Sequence, residues 1–131
     1  MRVTNYEYNS TIFNLDFQNK INLIVDNSGT GKTFLLQMLK FYCDDAGISC
    51  THIDYIHKDM PLDGSVLLFD KADLYFTNDF FEKLKSLDAV SIISIKNTAD
   101  LDMFGDIGVY RLINNGSEIT TERWGDVSFA F

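Results

Sequence analysis

The chain is short of proline, cysteine and basic residues, and each shortage excludes a class of protein. Its 131 residues include one proline and eight glycines, too few for a disordered or low-complexity chain. The two cysteines, Cys43 and Cys50, lack the spacing of metal ligands, so we interpret them as buried free thiols of a cytoplasmic protein. Acids outnumber Lys and Arg by 19 to 11, for a net charge of −8. Because nucleic acids attract clustered basic residues, we expect no autonomous nucleic-acid binding.

Long apolar runs are missing as well. The first ten residues, MRVTNYEYNS, lack the apolar core of a signal peptide, and no window has the length of a membrane span. We therefore expect a cytoplasmic chain without a membrane partner. The composition is 46% hydrophobic, which together with the chain length predicts a single domain over residues 1–131 with a substantial core.

Hydrophobic periodicity predicts strands that alternate with helices. TIFNLDF, near the start, alternates apolar and polar side chains and is expected to form an antiparallel pair with RVTNYEY. Further strands are predicted at INLIV, SCTHIDYI, VLLFD and AVSIISI, helices at TFLLQMLKFYCDDAG and TNDFFEKLKSLD, and a terminal hairpin at VYRLINNGSEITTERW. Alternating strands and helices predict an α/β fold with a mostly parallel sheet, flanked by these antiparallel strands and the hairpin.

A glycine-rich loop lies between the INLIV strand and the first helix. Residues 26–33, DNSGTGKT, match the phosphate-binding pattern G-x-x-x-x-G-K-[ST], except that Asp26 replaces the first glycine. Glycines let successive backbone N–H groups curl around an anion at a helix N-terminus. Lys32 is expected to reach the outer phosphates and Thr33 to ligate magnesium. The predicted nucleotide-binding residues are Asn27, Ser28, Gly29, Thr30, Gly31, Lys32, Thr33 and Phe34.

Two aspartates qualify this site in different ways. The carboxylate of Asp26 would repel phosphates if it faced them, but aspartate tolerates unusual backbone angles and can point away. Asp70 ends the VLLFD strand, where phosphate-loop enzymes carry an acid that holds magnesium or its waters. We therefore predict Thr33 and Asp70 as magnesium ligands.

The order of these parts resembles an ABC-type ATPase, or the SMC-like head domains of chromosome-maintenance and DNA-repair ATPases. The likeness extends along nearly the whole chain and is carried by DNSGTGKT, LLFDKAD, FFEKLKSL, SIISIKN and VYRLINNGSEI. It implies a minimal or truncated ATPase domain with the three-layer P-loop fold, which binds ATP or another purine nucleotide with Mg²⁺. It also allows a homodimer that shares nucleotide across its interface, although the chain has no serine-glycine-rich signature motif.

Two positions depart from the family pattern in a way that bears on hydrolysis. Lys71 falls where the resemblance implies a catalytic glutamate, and Lys96 falls near the position of a switch histidine. A charged lysine cannot accept a proton from water, so we expect slow or absent hydrolysis. Asp73 is the remaining candidate for a catalytic base.

Three functions are therefore open. The leading hypothesis is an ATP-binding switch or regulator that acts through a larger protein partner. The first alternative is a small acidic interaction or inhibitor protein, of the kind that phages or mobile elements carry, with a degenerate P-loop and no nucleotide turnover. The second is a small GTPase-like protein, because DKAD at Asp70–Asp73 resembles N-K-x-D and Asp44–Gly47 matches D-x-x-G.

Overall fold

A computed structural model of the chain describes residues 1–25, 32–96 and 106–126. In chain order, its elements are β1 (Arg2–Tyr8), β2 (Thr11–Asp16), β3 (Ile21–Val25), α1 (Lys32–Ala46), β4 (Cys50–Ile53), β5 (Val66–Phe69), a 3₁₀ helix (Ala72–Leu74), α2 (Asn78–Ser86), β6 (Val90–Ile95), β7 (Ile107–Asn114) and β8 (Glu118–Asp126).

All eight strands belong to one mixed sheet with the order β1-β2-β8-β7-β3-β6-β5-β4. The β1/β2 and β7/β8 pairs are antiparallel, which confirms the predicted N-terminal pair and terminal hairpin. The remaining neighbours are parallel, including β2 with β8, which joins the first strands of the chain to the last. The sheet curls into a half-barrel. Register shifts in the two antiparallel pairs contribute to the curl, because a bulge bends its strand.

The predicted three-layer P-loop fold with a mostly parallel sheet is wrong. The two terminal pairs do not flank a parallel sheet but form half of the strands of one strand-rich, mixed, curled sheet. Within the described residues there are two α helices, too few to cover both faces of eight strands as complete layers. Strand periodicity reports which residues are buried, whereas the partner and direction of each strand depend on distant contacts, and this is why the prediction failed.

The core lies on both faces of the sheet, divided by the alternation of side chains along the central strand β3. Ile24 belongs to a buried cluster with Leu36 of α1, whereas Leu23, its neighbour in sequence, belongs to another with Phe81 of α2. Successive residues of a strand point to opposite faces, so one short strand supports both helices. The helix α1 buries side chains at helical spacing: Leu35, Leu36, Met38, Leu39 and Cys43.

The ends of the helices follow local chemistry. The cap of α2 is Thr77, whose Oγ1 accepts a hydrogen bond from the backbone N–H of Phe80, 3.2 Å away. The helix α1 ends at Ala46, and Gly47 follows with a φ of 71°, the left-handed conformation that glycine adopts without steric cost. Within the described residues, no helix has the length and apolar character needed to cross a membrane.

Candidate functional site

A cavity of about 590 Å³ lies where the carboxyl ends of β5 and β6 meet the first turn of α1. Its lining residues are Lys32, Thr33, Phe34, Asp70, Lys71, Asp73, Leu74, Ser94, Ile95 and Lys96. Parallel strands place the loops at their carboxyl ends side by side, and small-molecule sites of a few hundred Å³ commonly form there. The cavity therefore has the size and the position of a ligand site.

A hydroxyl and a carboxylate meet in this cavity. The Oγ1 atom of Thr33 lies 3.3 Å from both carboxylate oxygens of Asp70 and donates a hydrogen bond to them. Asp70 is buried, with only 7% of its surface exposed. The residues come from α1 and from the end of β5, 37 positions apart in sequence. The structure thus brings together the two residues that the sequence predicted as magnesium ligands.

The backbone of Asp70 is held from two directions. Its N–H donates to the carbonyl of Ile53 at 2.8 Å, which extends the pairing between β4 and β5 by one residue. The hydroxyl of Tyr75 lies 2.9 Å from the carbonyl of Asp70 and 3.2 Å from that of Ile53. Burial, with the nearby Asp70 and Asp54 carboxylates, raises the pKa of Tyr75. A protonated Tyr75 therefore stays a hydrogen-bond donor and helps to fix the position of Asp70.

The chain turns sharply directly after Asp70. Lys71 has φ 51° and ψ 50°, a left-handed conformation that is uncommon for a residue with a long side chain. The 3₁₀ helix begins at the next residue, and it brings Asp73 and Leu74 back to the same cavity. Strained backbone of this kind persists where the surrounding structure enforces it and is concentrated at functional sites.

Asp73, the candidate catalytic base, has a structural contact of its own. Its Oδ1 accepts a hydrogen bond of 2.7 Å from the backbone N–H of Lys96, the residue that follows β6. This bond ties the 3₁₀ helix to the end of β6 and holds Asp73 and Lys96 next to each other at the cavity. Asp73 thus lies at the cavity wall, with one carboxylate oxygen already accepting a backbone hydrogen bond.

The donor set fits magnesium. Mg²⁺ prefers oxygen ligands, and it is commonly held by one or two protein oxygens together with substrate phosphates and water. Thr33 and Asp70 supply a hydroxyl and a carboxylate at the cavity wall. Over residues 1–25, 32–96 and 106–126, there is no group of three or more His, Cys, Asp or Glu that could hold a metal. A magnesium ion held by Thr33 and Asp70 would complete its shell with water and with the oxygens of a bound phosphate.

Phe34 lies between the cavity and the core. It lines the cavity, and its ring centroid is 5.4 Å from that of Tyr8 and 5.8 Å from that of Phe13. Tilted aromatic contacts at these distances are stabilising. Phe34 therefore attaches the first turn of α1 to the β1/β2 pair in addition to forming part of the cavity wall.

The structure places five of the predicted site residues in one cavity: Lys32, Thr33, Phe34, Asp70 and Asp73. Asp26 and the predicted ligands Asn27, Ser28, Gly29, Thr30 and Gly31 lie outside the described residues. The D-x-x-G match of the GTPase alternative lies elsewhere. Its Asp44 and Asp45 are in the last turn of α1, and Asp45 accepts a hydrogen bond of 2.7 Å from the hydroxyl of Tyr6.

Sequence reasoning missed several residues of the cavity wall, namely Leu74, Ser94 and Ile95, and also Tyr75 behind it. A usable signal existed for Ser94. It is a polar residue near the end of a strand predicted to be buried, and the structure leaves 3% of its surface exposed. No local pattern indicated Tyr75, because its contacts depend on the carbonyls of two neighbouring strands.

His52 in β4 is a half-buried polar group close to this region. Burial lowers the pKa of His52, and the nearby Asp70 carboxylate only partly opposes the effect. Among the described residues, its Nε2 atom is buried without a hydrogen-bond partner. Because the pKa of His52 is lowered, its neutral form predominates at pH 7.

A scan of the chain against protein-family models found no match, and neither did a comparison with curated proteins.

Proposed function

We propose that the chain binds a purine nucleotide, ATP in the first instance, together with Mg²⁺, in the cavity between α1 and the ends of β5 and β6. The observation that carries this proposal is the contact between Thr33 and Asp70 in a cavity that Lys32 also lines. The bound nucleotide would serve a cytoplasmic switch or regulator that acts through a larger protein partner.

Each of the three residues has a distinct role in this proposal. Lys32, the first residue of α1, contributes a positive charge to the phosphates where the helix N-terminus is itself favourable to anions. Thr33 and Asp70 hold magnesium directly or through its water shell. Bound magnesium would neutralise part of the phosphate charge and replace the hydrogen bond that joins Thr33 to Asp70.

Hydrolysis in this site would be slow or absent. The residue after Asp70 is Lys71, and an ammonium group cannot take a proton from an attacking water. Asp73 is the candidate base among the lining residues, and its Oδ1 already accepts the N–H of Lys96 at 2.7 Å. Such a site favours prolonged binding over turnover, which suits a switch.

Titration calorimetry with ATP and Mg²⁺ tests the proposal. We expect Lys32→Ala to weaken ATP binding at least about tenfold, because a charge-assisted contact contributes about 1.5–3 kcal/mol. Lys83→Ala is the matched control, since Lys83 is an exposed lysine on α2. Phosphate release from the same samples should stay far below the roughly 1–10³ s⁻¹ of ordinary enzymes. Undetectable ATP binding by the parent chain would refute the proposal.

A nucleotide-independent interaction protein is the second candidate. It is favoured by the segment between β4 and β5, where Tyr55, Ile56 and Met60 expose large apolar side chains, Ile56 to 83%. Exposed apolar groups that lie together often mark a protein contact. Two results together would favour this candidate: the parent chain does not bind ATP, and the Ile56→Ser variant no longer binds a protein partner that the parent chain binds.

A further inference from the structure

The proposed nucleotide cavity differs in charge from the chain that surrounds it. Three lysines line it, Lys32, Lys71 and Lys96, against two acids, Asp70 and Asp73. The whole chain, by contrast, has a net charge of −8. Like charges repel and are costly to gather, so a local excess of ammonium groups in an acidic protein indicates a site for an anion.

The lysines lie at two levels of this cavity. Lys32 is beside Thr33 and the buried Asp70, at the start of α1. Lys71 and Lys96 are exposed and therefore belong to the rim. No ion pair of the Lys71 or Lys96 ammonium is seen within the described part of the chain. An anion that extended from Lys32 toward the rim would meet these two side chains last.

The backbone holds both rim lysines in place. Lys71 occupies a left-handed conformation between two fixed points, Asp70 and the 3₁₀ helix, and the carbonyl of Lys71 accepts a 3.1 Å hydrogen bond from the N–H of Leu74. Lys96 is anchored through its own N–H by the Asp73 carboxylate at 2.7 Å. Because the backbone of each lysine is already held in place, the lysine would lose less conformational entropy when it binds an anion.

We infer that Lys71 and Lys96 bind the outermost phosphate, so that the cavity selects a chain of three phosphates over a chain of two. The purine part of the ligand rests on the function proposed above, but the phosphate selection rests on the lysines. The same two residues that make the site poor in hydrolysis would then let the protein distinguish nucleoside triphosphate from diphosphate. A nucleotide switch needs this discrimination. A ligand shifts the equilibrium between two states of a protein only if it binds one state more tightly than the other, so triphosphate and diphosphate must bind differently to have different effects.

The test compares the parent chain with Lys71→Gln/Lys96→Gln, and with Lys58→Gln/Lys83→Gln as a control of equal charge change. Lys58 and Lys83 are exposed and line no part of the cavity. Calorimetry measures the affinities for ATP, ADP, inorganic triphosphate and pyrophosphate. Thermal unfolding checks that each variant is folded, and Lys96→Gln alone, which leaves the strained turn untouched, replaces the double variant if that fails to fold.

We expect the parent and the control to prefer three phosphates over two by about tenfold, and the Lys71→Gln/Lys96→Gln variant to lose most of this preference. The preference should shrink as sodium chloride is raised, since exposed charges are screened. Equal affinity of the parent for ATP and ADP, or a preference that survives in the double variant, would overturn the inference and leave the nucleotide proposal standing. Selective binding of inorganic triphosphate without any binding of ATP would overturn the nucleotide proposal and leave the phosphate selection standing. No binding of any probe would overturn both proposals.

Discussion

At the amino ends of β3, β6 and β7 polar side chains form hydrogen bonds with the backbone and with one another, whereas at the carboxyl ends of β5 and β6 they line the proposed nucleotide cavity. Asn22, at the amino end of β3, is fully buried, and its Nδ2 donates to the carbonyls of Asn19 at 2.8 Å and Ser91 at 3.1 Å. Its Oδ1 accepts the N–H of Asn19 at 3.1 Å. Every polar atom of this amide therefore has a partner within the protein.

The network around Asn19 continues to the next strand. The Nδ2 of Asn19 donates to Asp106 at 2.8 Å, and its Oδ1 accepts the hydroxyl of Tyr110 at 2.7 Å. Gly108 makes room for it, because a Cβ at that position would lie 2.1 Å from the Oδ1 of Asn19. A network so closely packed stabilises the sheet, and its outer members Asn19 and Asp106 also line a second cavity of about 820 Å³.

Polar residues thus serve two purposes in one sheet. At the amino ends, amide and carboxylate side chains form hydrogen bonds with backbone groups near the starts of buried strands and with one another. At the carboxyl ends, Thr33 and Asp70 have mainly each other, and the rim lysines face solvent. We therefore expect substitutions at the first end to change stability and those at the second to change ligand binding.

The largest effect is expected at the amino end. Asn22→Leu keeps the branching of the side chain at Cγ but leaves the carbonyls of Asn19 and Ser91 and the N–H of Asn19 without this partner. We expect a loss of about 2–4 kcal/mol in the free energy of unfolding, as measured by urea denaturation. ATP affinity of the folded fraction should stay within about twofold of the parent. A loss below about 1 kcal/mol would show that the network is not a stabilising one.

The next largest effect, a change in ligand binding, is expected at the carboxyl end. Asp70→Asn preserves shape and removes the charge, so the magnesium-dependent part of ATP affinity should fall about tenfold, while the free energy of unfolding changes by less than about 1 kcal/mol. Calorimetry with and without Mg²⁺ measures the first quantity and urea denaturation the second. Asp59→Asn, which alters an exposed acid between β4 and β5, is the control. Unchanged magnesium dependence in Asp70→Asn would remove Asp70 from the proposed metal site.

The smallest effect concerns pH. Burial lowers the pKa of His52 in the folded state, so the unfolded chain takes up the proton more readily. This contribution to stability is fully present above the unfolded pKa of about 6.5 and is lost as the pH falls below it. We expect urea denaturation between pH 7.5 and 5.5 to show a decrease in stability that is weaker in His52→Gln. His57→Gln removes the other histidine as a control. If its decrease in stability between pH 7.5 and 5.5 is weakened equally, the effect is not specific to His52.

Much of the local structure could be predicted from the sequence. The helical spacing of the α1 leucines and the turn before Ser117 each depend on neighbours in sequence, and each was predicted in its place. The candidate site could be predicted in part for the same reason. Lys32 and Thr33 belong to a contiguous motif, and Asp70 ends a strand whose buried run is plain.

The sequence by itself determined where strands and helices form, because apolar periodicity and capping are properties of short segments. Only the tertiary structure decided how the two predicted antiparallel pairs join the other strands, which made a mixed half-barrel from a pattern that predicted parallel layers. Asn14 of β2 reaches Glu118 of β8 across 104 residues with a hydrogen bond of 2.7 Å, and no local pattern encodes that partner. The tertiary structure likewise brought Lys71, Asp73 and Lys96 to one cavity, since hydrogen bonds and burial between distant segments determine which side chains meet.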